Sequence, residues 1–384
     1  MNQMNHRERF FTALNLGEPD LVPVTDLGMD PPIVEAILNR DLGFGLTKFG
    51  WNISFTSEKM GAWQSAIDYR RNLIDACMKL GFDGVPALSD YSIVNKRYAP
   101  RFIDQLRFVD QWGRVMQTNE RAKTTYFVGG IINNKEDLDR IELPDASDPD
   151  IVEMMDEILK PLRKTDVAIM GQVHSGWHLA FQARGGIDKI AIDFYKNPTF
   201  ARKLINKYAE AFQKLAHAMI EAGVEVLWVT DDYADNNGPL VHPKLIREYD
   251  LPNLRAMVNL GKKHNVPVLK HSDGNLYRII DDLIDTGIRG LHPIEPGAMD
   301  LGDVKKRYGH RICLLGSVDM RYVLPFGNEE DVRREVRRCI DEAGKDGGYI
   351  LTSSNSLHSD VKPQNIFVMV DEARKYGKYP LQRA

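Results

Sequence analysis

The chain has 384 residues, of which 43% are hydrophobic and 27% charged, with 50 lysine and arginine residues against 54 aspartate and glutamate residues. This composition is typical of a globular protein with a packed core and excludes disordered and fibrous classes. The net charge of -4 leaves no broad basic surface, which argues against a nucleic-acid partner.

No segment of the sequence suggests secretion or membrane insertion. The amino-terminal stretch lacks an apolar run of signal-peptide length, and no window approaches ~18 uninterrupted apolar residues. Cys77, Cys313 and Cys339 are far apart and form no CxxC pair, so neither a disulfide framework nor a thiolate zinc knuckle is indicated. We expect a cytoplasmic protein with small-molecule or protein partners and no membrane partner; the oligomeric state stays open.

Eight short apolar runs alternate with segments of helical periodicity along the chain. The runs span residues 22–28, 82–88, 167–173, 224–230, 266–271, 288–294, 312–318 and 348–354. This alternation predicts parallel strands joined by crossover helices, and eight units predict a (β/α)8 TIM barrel, an α/β fold forming a single domain over residues 1–384. The alternative, a doubly wound sheet, usually has fewer strands and a glycine-rich phosphate turn, which is absent here.

Two longer connections interrupt this pattern and predict insertions after strands one and two. Residues 91–166 contain RFVDQWGRVMQTNERAKTTYFVGG, which predicts a β-hairpin or three-stranded meander as an accessory insertion on the barrel. Residues 31–71 carry Trp51 and Trp63 and are expected to cover the barrel mouth.

Polar residues follow the predicted strands, at the end where TIM barrels place their active sites. We predict that Asp90, His174, Asp232 and Glu295 are catalytic. We predict that Asp26, Trp177, Tyr233, Ser353 and Asn355 bind substrate. An isolated aspartate after a strand is also a common helix cap or turn former, so the prediction rests on the whole ring of residues rather than on any one of them.

The motif HSDG after the fifth strand is the sharpest local signal. His271 and Asp273, together with His358 from the last loop and Glu295 or Asp231 opposite, offer nitrogen and oxygen ligands for Zn²⁺. A hydrogen-bonded network of histidine and carboxylates without metal is the alternative. His292 lies within a strand and is expected in the barrel interior, and Lys270 is expected to face the helix layer.

Several segments resemble the uroporphyrinogen decarboxylase superfamily across nearly the whole chain. They are RERFFTALNLGEPDLVPV, GVPALSD, GWHLAFQARGGIDKIAIDFYKNP, DDYADNNGPLVHPKLIREYDLPNLRAMV, LKHSDGN and GSVDMRYVLPFGNEEDVRREVRRCIDEAGKDGGYILTSSN. The resemblance implies a (β/α)8 barrel. It also implies one of two activities, porphyrin decarboxylation or zinc-dependent methyl transfer that involves a corrinoid carrier protein.

The decarboxylase branch carries an arginine-rich segment after the first strand, which pairs the carboxylates of its porphyrin substrate. Here the corresponding stretch is LGMDPPIVEAIL, and no arginine precedes Arg40. Asp90 matches the aspartate that gathers the pyrrole N–H groups in this branch. The missing arginines make decarboxylation the second choice.

The methyltransferase branch has His-x-Cys after strand five and a further cysteine after strand eight as zinc ligands. His271 matches the histidine, whereas Asp273 and Asn355 stand where the two cysteines would be. The loss of soft ligands argues against thiol activation but leaves an oxygen-bound methyl donor open. Because the chain lacks the DxHxxG corrinoid motif, the corrinoid would arrive on a partner protein. A non-catalytic barrel that binds a tetrapyrrole or small ligand is the third hypothesis.

Overall fold

A computed structural model of the chain describes residues 3–42, 61–119 and 123–381. Its strands are β1 (Gly84–Ser89), β2 (Arg101–Phe102), β3 (Arg107–Val109), β4 (Arg114–Asn119), β5 (Thr124–Gly130), β6 (Ala168–Val173), β7 (Val226–Val229), β8 (Ala234–Asp235), β9 (Gly238–Pro239), β10 (Val268–His271), β11 (Gly290–His292), β12 (Cys313–Val318) and β13 (Tyr349–Ser353). A membrane-spanning candidate, meaning a helix both long and apolar, is absent from these ranges.

The described α-helices pack around the main sheet and the loops between its strands. They are α1 (His6–Leu14), α2 (Pro31–Leu38), α3 (Ala62–Leu80), α4 (Lys135–Arg140), α5 (Pro149–Leu159), α6 (Trp177–Arg184), α7 (Ile187–Lys196), α8 (Pro198–Ala222), α9 (Pro243–Tyr249), α10 (Leu251–Lys263), α11 (Ile280–Asp285), α12 (Leu301–Tyr308), α13 (Val323–Phe326), α14 (Glu329–Ala343) and α15 (Pro363–Tyr376). Short 3-10 helices span Asp90–Ser92 and Lys160–Lys164.

The main sheet consists of seven parallel strands in the order β1-β6-β7-β10-β11-β12-β13. Each of these strands lies within one of the predicted apolar runs or reaches one residue beyond it. All of their residues are buried, because helices cover one face and the curled sheet packs against itself on the other. The sequence therefore predicted the α/β class and the parallel order of the sheet.

The first apolar run, residues 22–28, does not form a regular strand. Val24 makes a single parallel bridge to Leu351 in β13, and the Asp83 N–H next to β1 donates to the Val24 carbonyl at 2.7 Å. Pro23 lacks an N–H group and cannot donate to a strand ladder. The run thus hydrogen-bonds both edges of the seven-stranded sheet by isolated contacts.

Helix α1 fills the amino-terminal end of the sheet interior. It begins at a capping box, in which Asn5 and Glu8 satisfy each other's backbone N–H groups. Phe10, Ala13 and Leu14 of this helix pack against inward-facing strand residues in one apolar cluster. Arg9 is buried beneath them and pairs with Asp20 and Asp83, each at 2.7 Å. Helix α1 does not fill the opposite end of the sheet, where the strands reach their carboxyl termini and where the functional residues were predicted.

The connection between β1 and β6 contains an antiparallel sheet in the order β2-β3-β4-β5. It therefore has four strands where the sequence predicted two or three. The sheet packs closely on α6, because a Cβ at Gly130 would lie 2.1 Å from the Ala183 carbonyl oxygen. Of the two tryptophans predicted to cover the mouth, Trp63 donates its indole N–H to the Asp150 carbonyl at 2.8 Å, and Trp51 lies outside the described residues.

Candidate active site

A cavity of about 690 Å³ opens at the carboxyl ends of the parallel strands. Its described lining comes from the strand ends, the loop after residue 26, α3, and the antiparallel sheet. The lining residues are Leu27, Gly28, Met29, Asp30, Pro31, Ala62, Ala66, Tyr69, Arg70, Leu73, Ser89, Tyr91, Ser92, Val94, Tyr98, Gln111, Thr124, Thr125, Tyr126, Gln172, His178, Thr230, Asp232, His271, Asp273, Asn355 and Ser356. Asp232, His271, Asp273 and Asn355 are the predicted site residues that reach it.

Three of these side chains form a compact group in the cavity wall. The Nε2 atom of His271 lies 3.4 Å from the Oδ1 atom of Asp232 and 3.7 Å from the Oδ1 atom of Asp273. The backbone N–H of Asp273 donates to Asp232, and the Asn355 amide donates to the Oδ2 atom of Asp273 at 2.7 Å. Oδ1 of Asp273 is buried without a hydrogen-bond partner among the described residues. The group therefore presents an unsatisfied oxygen beside an imidazole nitrogen.

A second histidine fixes which nitrogen of His271 faces this group. The Nε2 atom of His292 lies 3.3 Å from the Ser353 carbonyl, to which only an N–H can donate. Burial lowers the pKa of His292 well below its ordinary value, and the nearby His271 lowers it further. A neutral His292 with its proton on Nε2 must accept at Nδ1, which lies 2.8 Å from Nδ1 of His271. His271 therefore donates through Nδ1 and directs Nε2 at the two carboxylates.

These residues fit a divalent cation. Zinc binds nitrogen and oxygen ligands at ~2.0–2.2 Å, which places two ligands of a tetrahedral site about 3.4 Å apart. The 3.4 and 3.7 Å separations around His271 match that spacing, and candidate ligand atoms of all three residues lie within 4.8 Å of one another. A set of nitrogen and oxygen ligands alone is chemically harder, in the sense of hard and soft metal ligands, than a set that includes thiolates.

The two carboxyl groups of this cluster differ in their ionisation. Burial opposes the charge on Asp232, yet the hydrogen bond and positive charge of His271 hold the pKa of Asp232 below its ordinary value. Burial, with the negative charges of Asp232 and Glu295, raises the pKa of Asp273 to about 7. Burial also works against a charged His271, but the carboxylates of Asp273 and Asp232 raise its pKa.

A second histidine–carboxylate pair lies behind the cavity wall. The Oδ2 atom of Asp90 accepts from the backbone N–H of His174 at 2.8 Å and lies 2.7 Å from its Nδ1. The other ring nitrogen of His174 lies 3.0 Å from the Tyr91 hydroxyl. Asp90 and His174 are both fully buried and are not part of the described lining, whereas Tyr91, which contacts His174, lines the cavity.

The remaining predicted residues depart from the expected positions. Asp26 and Ser353 hydrogen-bond each other, Trp177 donates its indole N–H to the Asp232 carbonyl, and the Tyr233 hydroxyl donates to buried Asp250. These four of the five predicted substrate-binding residues have no exposed surface and lie behind the described lining. The fifth, Asn355, lines the cavity.

Two more predicted residues lie beside the main cavity. His358 is not among the three clustered ligands, since its Nδ1 accepts from the Asp360 N–H. Glu295 lines a neighbouring pocket of about 530 Å³ that shares Asp232 and Asp273 with the main cavity. The Gly274 N–H donates to Glu295 at 2.8 Å.

Sequence reasoning missed several residues of the cavity wall and one buried carboxyl. Arg70 comes from the middle of α3, and Tyr91 directly follows the predicted Asp90. Asp250, between α9 and α10, accepts from the Tyr233 hydroxyl and lies 2.8 Å from the Ser175 hydroxyl behind the site, and burial raises its pKa to about 7. Its only sequence signal is the pair Asp250–Leu251 before a proline, which is typical of a helix start.

The comparisons with known proteins agree with this fold. The chain is 18% identical to a methyltransferase from Methanosarcina mazei whose structure superposes with a TM-score of 0.73, over 97% of this chain and 99% of that one. It is 26% identical over 261 residues to uroporphyrinogen decarboxylase of Actinobacillus pleuropneumoniae serotype 5b, covering 64% of this chain and 70% of the relative. The same enzyme of Aliivibrio salmonicida is also 26% identical, over 260 residues, with the same coverage.

The family model described as uroporphyrinogen decarboxylase (URO-D) matches residues 102–376, which is more than half of the chain. The matched region runs from the antiparallel sheet to the last helix and includes β6, β7, β10 and the clustered residues at their ends. The chain therefore belongs to the uroporphyrinogen decarboxylase family.

Proposed function

We propose that this protein is a methyltransferase that moves a methyl group from a small O-methyl substrate to a corrinoid carried by a partner protein. The observation that carries the proposal is the group Asp232, His271 and Asp273 in the wall of a closed-ended cavity. It would supply ligands for a cation in the wall of the cavity, beside the oxygen of a methyl donor bound there. A bound cation of this kind acts as a Lewis acid on an oxygen.

The residues around the group have defined tasks in this proposal. Asp232, His271 and Asp273 would hold the cation, and His292 orients His271 toward that position. Asn355 holds Asp273 by its amide. In the transfer, the bond between methyl carbon and oxygen breaks and its electron pair stays on the oxygen, which then takes a proton. A cobalt(I) corrinoid on the partner protein would supply both electrons of the new bond to the methyl carbon.

One sequence feature supports a separate carrier. The chain has no DxHxxG motif, so the corrinoid is proposed to come with another protein. The cavity, of about 690 Å³, lies in the range of small-molecule sites and takes the methyl donor.

Decarboxylation of a porphyrin remains the second candidate, favoured by the names of the curated relatives. The cavity argues against it. Among the described lining residues, Arg70 is the only lysine or arginine, alongside the carboxyls of Asp30, Asp232 and Asp273. A substrate with many carboxylates needs several cations to pair them, and this lining offers one.

The test is an assay in which methyl transfer to cobalt is monitored by absorbance. Purified protein is mixed with reduced corrinoid and with methanol, methylamines or methoxylated aromatics, and conversion of cobalt(I) to methylcobalt(III) is recorded. His271→Ala is expected to lower the rate by about 10²–10³-fold, because such a group contributes ~2–4 kcal/mol to the transition state. Exposed His310 provides the matched control, His310→Ala.

Elemental analysis of the same preparations separates the roles of His271. Loss of zinc on His271→Ala indicates a ligand. A second group that could hold a metal, made of His217, Glu221 and His264, lies on the outer helices, so His217→Ala is analysed in parallel and should leave the cavity metal in place. Loss of CO₂ from uroporphyrinogen with no methylcobalt formed would contradict the proposal.

A further inference from the structure

Arg70 is a buried cation with no ion pair among the described residues. It lies on α3 with 6% of its surface exposed and lines the cavity. Its Nε atom donates to the Ser92 hydroxyl at 3.0 Å, whereas its two terminal nitrogens make no hydrogen bond to the described part of the chain. Burial lowers the pKa of its guanidinium. The terminal N–H groups are thus left for a ligand.

A second buried arginine near the same wall shows what a satisfied guanidinium looks like here. Arg114 is 3% exposed, pairs with Asp110 at 2.6 Å and donates to the Gln182 side chain at 3.0 Å. Burying a charge without such partners costs several kcal/mol. Among the described residues, Arg70 has only the Ser92 hydroxyl as a hydrogen-bond partner and the Tyr69 ring, 5.5 Å from its guanidinium carbon, as an aromatic partner. Much of this cost is therefore left for a bound anion to offset.

Asp90 is the carboxylate that most influences Arg70, but it does not pair with the guanidinium as a bound anion would. Asp90 raises the pKa of Arg70 by its charge, but no salt bridge forms between them within 4.0 Å. The Oδ2 atom of Asp90 already accepts from the backbone and ring of His174, and its buried Oδ1 atom has no hydrogen-bond partner among the described residues. An anion that enters the cavity would therefore meet a guanidinium whose fork is still open.

The cavity that Arg70 lines has aromatic walls. Tyr69, Tyr91, Tyr98 and Tyr126 all line the cavity, and Met29, Leu73 and Val94 add apolar surface. Aromatic walls favour planar rings by stacking and edge-to-face contacts. One guanidinium pairs one carboxylate in a bidentate manner, and the carboxyls at the other part of the lining would repel a second.

We propose that Arg70 binds the carboxylate of a methoxylated aromatic acid, with the tyrosines around its ring and the methoxy group toward His271. This inference deepens the proposed function by naming the substrate class. The part that concerns the methoxy group rests on the proposed function. The part that concerns binding of the carboxylate depends only on Arg70 and its surroundings. A donor as small as methanol would leave this part of the cavity unused.

The test compares an acid with its neutral amide by isothermal titration. The probes are 3-methoxybenzoate and 3-methoxybenzamide, which share a ring and a methoxy group and differ in charge. The wild-type protein is expected to prefer the acid, and Arg70→Met to weaken acid binding by about 10–100-fold while leaving amide binding nearly unchanged, since a hydrogen-bonded ion pair is lost. Equal binding of acid and amide to the wild-type protein would overturn the inference.

Further variants keep the test independent of folding problems. Arg70→Lys keeps the charge without the planar fork and should recover part of the preference for the acid. Ser92→Ala removes the hydroxyl that holds Nε and should weaken the acid more than the amide. Exposed Arg334 on α14, which pairs with Asp331, gives the control Arg334→Met, expected to bind both probes like the wild type. Equal weakening of both probes by Arg70→Lys would contradict a carboxylate-specific role.

The two proposals fail separately. Arg70-dependent binding of the acid without methyl transfer to cobalt would support the ligand class and contradict the methyltransferase. Methyl transfer from methanol or methylamine with no preference for the acid would support the methyltransferase and contradict the role of Arg70.

Discussion

The polar groups at the carboxyl ends of the parallel strands fall into two sets, those that face the cavity and those sealed behind it. The facing set includes the cluster around His271 and the guanidinium of Arg70. The sealed set includes Asp26 with Ser353 and Asp231 with Ser175. Asp231 accepts from both the backbone N–H and the hydroxyl of Ser175, whereas Oδ1 of Asp273 has no partner among the described residues.

This difference shows how to separate structural from ligand-binding polar residues. Buried polar groups are normally satisfied, because an unmade hydrogen bond costs ~1–3 kcal/mol. A group that is satisfied by its neighbours stabilises the fold. A group in a cavity wall that keeps an open donor or acceptor is a candidate for binding. Substitutions in the two sets should therefore give different results.

The largest effect is expected from Asp232→Asn in the facing set. The change keeps the size of the side chain and removes the negative charge that His271 stabilises. Activity and bound metal should both fall, the activity by about 10²–10³-fold, which corresponds to about 3–4 kcal/mol. The measurement is the cobalt assay together with elemental analysis.

The matched control is Asp346→Asn. Asp346 is exposed and has a positive φ of 62°, a conformation that asparagine also adopts. It should retain wild-type activity and metal. If Asp232→Asn did the same, the cluster would not be a ligand set.

The sealed set is tested by Asp26→Asn and pH. Burial raises the pKa of Asp26 to about 7, although Ser353 donates to it. From about pH 4 to 7 the native protein then holds a proton that the unfolded chain has released, so this contribution to the free energy of unfolding falls as the pH rises. The wild type should lose about 2–3 kcal/mol relative to Asp26→Asn between pH 5 and 7.

Chemical denaturation at a series of pH values measures this difference. Metal content and acid binding of Asp26→Asn should match those of the wild type, because the residue does not line the described cavity. A wild-type-minus-variant difference that stays constant with pH would show that Asp26 does not hold a proton in the native state.

The smallest effect is expected from His292→Phe, which connects the two sets. The ring is buried against the Trp228 indole, and phenylalanine keeps its shape while removing the acceptor for Nδ1 of His271. Loss of such an orienting partner typically weakens metal binding by about 10–100-fold. Competition with a chelator of known zinc affinity measures the change, with His310→Phe as the exposed control. Unchanged affinity would mean that His271 is oriented by other contacts.

The sequence predicted the parallel sheet because its strands are buried on both faces and appear as continuous apolar runs. It did not predict that residues 22–28 would form isolated bridges, since the effect of Pro23 on a ladder depends on which neighbours the run must pair with. It also underestimated the antiparallel sheet, whose short edge strand β2 has two residues.

For the site, the position after a strand was enough to find Asp232, His271 and Asp273, but not to tell them from sealed residues. Asp231 and Asp232 are adjacent in sequence, yet one contacts Ser175 behind the sheet and the other faces His271. This alternation depends on backbone angles after the strand ends. Arg70 carries no strand-end signal at all, because it lies inside a helix whose pattern is set by packing.

The position of helix α1 limits how molecules can reach the proposed active site. Because Phe10 and its neighbours fill the amino-terminal end of the sheet interior, the proposed methyl donor and the partner protein would both approach the carboxyl-end face. A donor would then enter before the larger carrier docks and covers that face, and the demethylated product would leave after the carrier departs. If the donor must bind before the carrier, steady-state kinetics should show an obligatory order of binding. Excess carrier protein should then compete with the donor and slow turnover.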